Sequence, residues 1–177
     1  MSKFAPGTPM DANMKLTSRQ YYEHTGQNQE ELLTDKITYQ KLIGKLLYLN
    51  MTRLGISFSV QTLSYFLHQP KKSHIDAALR VIKYIKRQSG QGILLSSDCR
   101  NEVTAFCDAD WVACTLTRKS VIGYVIKFGN SLIYWKAKNQ TIVSRSSVEA
   151  KYRSIASNVT ELIWLIGLLK DLKAEVH

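Results

Sequence analysis

Several things are scarce in this chain, and each shortage removes a class of protein. Its 177 residues hold three cysteines, Cys99, Cys107 and Cys114, without a CxxC pair. An odd number at that spacing argues against a disulfide framework or a zinc knuckle. The four histidines (His24, His68, His74 and His177) are scattered, with no HxxxH pair. Both facts predict a reducing, intracellular setting and no dedicated soft-metal site. The longest strongly apolar stretch, "LIWLIGLL" at 162–169, falls well short of the roughly 20 residues that span a bilayer. The opening "MSKFAPGTPMD" has no apolar core of the secretory kind. There is no GxSxG, no Gly-rich phosphate loop and no Cys–His pairing to supply a nucleophile.

Acids are also in short supply, 14 against 24 lysines and arginines, for a formal net charge of +10. The excess is spread along the chain: 13 basic and 6 acidic residues up to Leu95, then 11 and 8. A balance of this size suits a polyanionic partner, nucleic acid first and an acidic membrane surface second. The 45% hydrophobic and 21% charged fractions are those of an ordinary globular chain.

Residues 1–36 are polar and lack sustained periodicity, so they read as a loosely ordered leader with one short helix. From Tyr39 the spacing of Leu42, Ile43, Leu46, Leu47 and Leu49 predicts a helix. After Gly55, the set Val60, Leu63, Phe66 and Leu67 predicts another, ended by Pro70. A third follows, with Ile75, Ala78, Leu79, Ile82 and Ile85 as its apolar stripe and Arg80, Lys83 and Arg87 opposite. Lys71 and Lys72 lie just upstream. This basic face reads either as a solvated surface or as a phosphate-contacting one.

Past Gly92 the period becomes two. "GILLSS" and "EVTAFCD" read as strands, "SVIGYVIKFGNSLIYWKAK" as a hairpin turning at Gly129-Asn130, and "QTIVS" as a further short strand. From Ser146 a helix of about 25 residues is predicted, with Tyr152, Ile155, Ala156, Val159, Leu162, Ile163, Ile166 and Leu169 as its apolar face. A helical segment followed by a hairpin-rich sheet and a long helix is an α+β arrangement.

Asp108 and Asp110 follow the apolar part of one strand in "FCDADW". Close hard carboxylates can hold Mg²⁺ or Mn²⁺, or they can begin a turn. Glu149 sits three residues after Ser146 in "SSVE", the spacing of a capping box. It could instead face a metal at the neighbouring strand's end. Lys136, Lys138, Arg145, Lys151 and Arg153 surround it, with Tyr134 and Trp135 just before. Bases interleaved with aromatics suit a nucleic-acid groove. The plainer reading puts Trp135 in the core and leaves the lysines as solvated strand ends.

Six stretches in order carry a resemblance: "TPMD" (8–11), "YQKLIGKLLYLNMTR" (39–53), "CDADWVAC" (107–114), "TRKSVIGYV" (117–125), "LIYWKAKNQTIVSRSSVEAKYRSIA" (132–156) and "LIWLIGLLKDL" (162–172). Together the chain resembles the C-terminal part of copia-type LTR-retrotransposon Pol polyproteins. The resemblance implies three parts: a polar leader (1–36), a helical reverse-transcriptase connection (37–92), and the start of a ribonuclease H-like domain (93–177). That domain would be an incomplete mixed sheet flanked by the long helix. The implied ancestral activity is Mg²⁺- or Mn²⁺-dependent cleavage of the RNA strand of an RNA–DNA hybrid, weak or absent in this chain. Four acids and two metal ions about 4 Å apart would carry it.

By the same resemblance Asp108 and Glu149 are the catalytic, metal-binding acids, while Asp110 matches a second Asp that is not counted as a ligand. The third and fourth acids would follow a further strand, and the chain stops at His177. Glu161, Asp171 and Glu175 are not placed in the site. Lys71, Lys72, Arg80, Lys83, Arg87, Lys136, Lys138 and Arg145 would contact nucleic acid. The implied partners are the hybrid and the rest of a Pol polyprotein, with no membrane, in the cytoplasm or a virus-like particle. Departures from the family pattern fall at Val112, Ala113, Leu116, Lys151, Leu54 and Gly55. A non-catalytic nucleic-acid-binding module and a functionless pseudogene product are the alternatives.

Overall fold

The computed structural model describes residues 7–11, 16, 33–97, 100–114, 117–174 and 176. Most of the expected polar leader and its short helix lie outside the described residues. Two compact units, Met1–Gly92 and Ile93–His177, divide the chain.

The first unit is helical. Helix α1 (Lys36–Leu49) starts where the Asp35 carboxylate accepts the Thr38 N–H at 3.0 Å, a side-chain cap for one of the free N–H groups of the first turn. It buries Tyr39, Ile43 and Leu46, an i, i+4, i+7 stripe. A single 3₁₀ turn (Leu54–Ile56) leads into α2 (Ser57–Ser64). At Gly55 a Cβ would stand 3.2 Å from the Tyr84 hydroxyl, so the close approach there favours glycine. Helix α3 (Lys72–Arg87) ends against the Arg53 guanidinium, which donates to the Gln88 and Ser89 carbonyls at 2.9 and 2.6 Å.

The buried stripe of α3 differs from the expected one. His74, Ala77, Ala78 and Val81 face inward, while Leu79 is exposed. The reason is His74, which behaves as a core aromatic. Its ring stacks on Phe66 at 3.9 Å between centroids, and its Nδ1 accepts the Lys71 N–H at 3.1 Å. Counting that ring as apolar rotates the face by about one residue.

The second unit is a three-stranded sheet with one helix: β1 (Val103–Asp110), β2 (Val121–Phe128), β3 (Ser131–Asn139) and α4 (Ser147–Asp171). The strand order is β1-β2-β3 and both pairings are antiparallel. The α+β class therefore holds, but the described sheet is antiparallel throughout and not mixed. The β2–β3 hairpin turns through Gly129 (φ 55°) and Asn130, as its sequence predicts. Its register slips between Ile126 and Lys127, which leaves Ile133 as an extra residue on β3. "GILLSS" and "QTIVS" are not strands. In the second stretch Gln140 and Ser144 are buried and bonded as a loop, which removes the backbone alternation that a strand needs.

Helix α4 packs mainly on β1, an edge strand among the described residues, and less on β2. Its inward face is Ala150, Ser154, Asn158 and Leu165, small or polar for the most part. The apolar face that periodicity picks out is largely outward: Tyr152, Ile155, Val159 and Ile163 are exposed. Small residues let the helix come close to the strand. The exposed apolar side lies largely opposite these small residues, on the side of the helix turned away from the sheet.

Candidate functional site

The two predicted acids sit on elements that are firmly joined. Ala109, Ile122 and Ala150 form one buried cluster, so the residue after each acid packs in the same core. The Ser154 hydroxyl donates to the Asp108 carbonyl at 3.0 Å, and Trp111 Nε1 donates to the Ser144 carbonyl at 3.0 Å. The buried Gln140 amide bonds the Ala150 carbonyl at 2.7 Å and accepts from the Ser144 hydroxyl at 2.6 Å. Together these contacts fix the end of β1, the 140–146 loop and the first turn of α4.

The carboxylates themselves point elsewhere. Successive strand residues face opposite sides, and Ala109 faces α4, so Asp108 faces away from it with exposed Phe106 and Asp110. Asp108 Oδ1 accepts the Ala109 N–H at 2.8 Å. Glu149 is held as a helix-start residue. Its N–H donates to the Ser146 hydroxyl at 3.1 Å, and its Oε2 accepts the Arg145 N–H at 2.8 Å. The Oε1 atom accepts from Arg153 Nε at 3.0 Å and Nη2 at 2.8 Å. The Arg145 N–H, followed by Arg153, holds the Glu149 carboxyl below its ordinary range. Among the described residues no group of three His, Cys, Asp or Glu side chains could hold a metal. As arranged, the acids do not fit a divalent ion, because Glu149 would first have to release Arg145 and Arg153.

The basic residues divide as well. Lys71 is buried at 2% exposure and so is not a surface cation; it is tucked in at the turn where its N–H meets His74. The largely buried Arg80 side chain pairs with Asp11 at 3.5 Å. Lys72, Lys83, Arg87 and Arg145 are exposed. Lys136 and Lys138 stand 3.5 and 3.9 Å from Glu161, which sequence reasoning had left unplaced. The Tyr124 and Tyr134 hydroxyls also donate to Glu161, at 2.7 and 3.3 Å. Glu161 lies seven residues after Ser154 and four before Leu165, on the side of α4 that meets the sheet.

One backbone feature beside the acids is unfavourable. Val112 has φ 58°, a left-handed conformation that is a true outlier for a β-branched residue. Val112→Gly is expected to raise stability by about 1 kcal/mol. A urea midpoint that falls on substitution would show that the Val112 side chain contributes more than its strain costs.

The chain is thus a mixed α+β one, with a helical unit and a sheet unit that carries the two acids on β1 and at the start of α4. Its relatives include an uncharacterized mitochondrial protein of Arabidopsis thaliana, 38% identical over 130 residues, 73% of this chain and 54% of the relative. The retrovirus-related Pol polyproteins from transposons RE2 and RE1 of the same plant are 37% and 38% identical. They align over 93% and 79% of this chain. The chain belongs to the family of retrovirus-related Pol polyproteins of copia-type transposons. It spans 11% and 10% of those two polyproteins and about half of the mitochondrial relative, 54%. No protein-family model and no solved structure matches it. Among the described residues no helix is long and apolar enough to cross a membrane.

Proposed function

We propose that this chain is a ribonuclease H-like piece of a retrotransposon Pol polyprotein, with Asp108 and Glu149 as the acids of a hybrid-cleaving site that is incomplete as it stands. The observation that carries this reading is the position of Asp108 near the end of β1, an edge strand among the described residues, with Glu149 at the start of the helix that packs on it. A strand paired with that edge would bring further carboxylates beside Asp108. Hybrid cleavage by two-metal chemistry needs such a set, since each ion is clamped by several oxygens. Within the described residues the set is not assembled, and Glu149 serves as a cap and ion-pair partner.

With a labelled RNA–DNA hybrid and excess Mg²⁺, the chain is therefore expected to cleave at no more than trace rate. Robust turnover that disappears in Asp108→Asn would overturn the incomplete-site reading and assign the activity to this chain. A second reading is favoured by the exposed cations Lys72, Lys83, Arg87 and Lys136 and the half-buried Lys138: a non-catalytic nucleic-acid-binding module. It predicts salt-dependent duplex binding that survives Asp108→Asn, because phosphate contacts release counterions whatever the acids do.

A further inference from the structure

The extra residue Ile133 on β3 has a large geometric effect. Facing residues of an antiparallel pair share a side of the sheet, and a one-residue slip exchanges the sides. Past the bulge, Tyr134 faces Ile126, Lys136 faces Tyr124 and Lys138 faces Ile122. These three therefore stand on the side of α4. With the unslipped register of the turn-proximal pairs, Ile133, Trp135 and Ala137 would stand there instead. Because α4 lies over β1, this side of β3 is left accessible, and the side chains of Lys136 and Lys138 are 46% and 35% exposed.

Glu161 faces this side of β3 from the helix. Its bond to the Tyr124 hydroxyl is short, 2.7 Å, while its two lysine contacts are long, 3.5 and 3.9 Å. Lys138 also lies over the Tyr124 ring, 5.8 Å from its centroid. The tyrosines thus anchor the carboxylate, and the lysine heads rest against it on flexible stems that can swing to solvent. The cluster carries one positive charge in excess.

We infer that Lys136 and Lys138 form a phosphate-contacting site for a nucleic-acid backbone, on the sheet face opposite Asp108, and that Glu161 is its built-in competitor. A phosphodiester that engages the lysines must take them from Glu161, so the carboxylate lowers affinity and flattens the salt dependence. This rests on the nucleic-acid reading above and adds to it the location of the contact and the residue that limits it.

The test is fluorescence anisotropy of the full chain with a labelled RNA–DNA hybrid over about 50–200 mM NaCl. Glu161→Gln keeps the shape and an acceptor for Tyr124 but removes the charge. It is expected to tighten binding about tenfold at the low-salt end and to steepen the log Kd–log salt slope by about 1–2. Adding Lys136→Met and Lys138→Met to Glu161→Gln should return the slope to that of the parent chain or below. Unchanged thermal unfolding of each variant keeps the comparison clean. If the parent chain binds with a salt slope and Glu161→Gln does not change it, the competitor role is overturned while the binding reading stands. If neither chain binds, both readings fall. Binding by Glu161→Gln alone would support the inference in its strongest form.

Discussion

Gln140→Leu is expected to destabilise the sheet unit by about 1–3 kcal/mol, because it strands the buried Ser144 hydroxyl and removes the bond to the Ala150 carbonyl. Gln140 is 6% exposed and Ser144 2%. The Gln140 amide donates to the Ala150 carbonyl, and its Oε1 takes the Ser144 hydroxyl proton. Leucine fills similar space but offers neither a donor nor an acceptor, so the stranded Ser144 hydroxyl costs about 1–3 kcal/mol, while the Ala150 carbonyl keeps its partner within the helix. The loss falls on the corner that carries both acids, since Gln140 N–H also bonds the Ser120 carbonyl and the Ser144 carbonyl receives Trp111.

Adding Ser144→Ala should recover part of the cost. The hydroxyl stranded by leucine is then gone, and neighbouring substitutions of this kind couple. Urea unfolding followed by far-UV circular dichroism measures both variants. A Gln140→Leu midpoint within error of the parent would mean that water or a rearranged loop satisfies these groups.

That corner also shows how much could be read from sequence. The helix start at Ser146, the Gly129-Asn130 hairpin and the buried positions Ile43, Leu46, Val60 and Leu63 were legible. Local caps, turn chemistry and a 3.6-residue period set them. The face of α4 was not legible. Periodicity locates the apolar side of a helix, but here the sheet takes Ala150, Ser154 and Asn158, because a helix seated on an edge strand meets it through small residues. Loop 140–144 misled for a related reason. Its Ile142 and Val143 look strand-like, yet both are about half exposed, while polar Gln140 and Ser144 are the buried pair.

Asp108 and Glu149 are singled out by resemblance. Their geometry is not, because alternation turns Asp108 away from α4 and Arg153 lies one turn along from Glu149. Glu161 escaped for want of long-range information. Only the bulge at Ile133 brings Tyr134, Lys136 and Lys138 to its side, and a one-residue slip leaves no local mark in a strand pattern.

In the helical unit the largest expected effect lies at Tyr39. Tyr39→Ala should cost about 3–5 kcal/mol, the usual loss when a buried aromatic is emptied from a core. The side chain is fully buried, and its hydroxyl donates to the Leu63 carbonyl at 2.8 Å, joining α1 to the last turn of α2. Tyr39→Phe keeps the ring and removes that bond. Because the Leu63 carbonyl also accepts the Phe66 N–H at 3.1 Å, the acceptor is not stranded and the cost should be near 1 kcal/mol.

The two variants separate packing from hydrogen bonding, and pH gives a third handle. Burial pushes the Tyr39 phenol well above its usual value, so the folded state holds the proton more tightly than the unfolded one. Its contribution is therefore complete below the unfolded value of about 10 and is lost as pH rises from there towards the folded value. Tyr39→Phe should flatten part of that alkaline loss, leaving the share of Tyr124, whose phenol is raised first by burial and then by its bond to Glu161. Urea midpoints measured from neutral to strongly alkaline pH test this. An alkaline slope identical in the parent and Tyr39→Phe would show that the phenol reaches solvent before the chain unfolds, by local opening of α1 from α2.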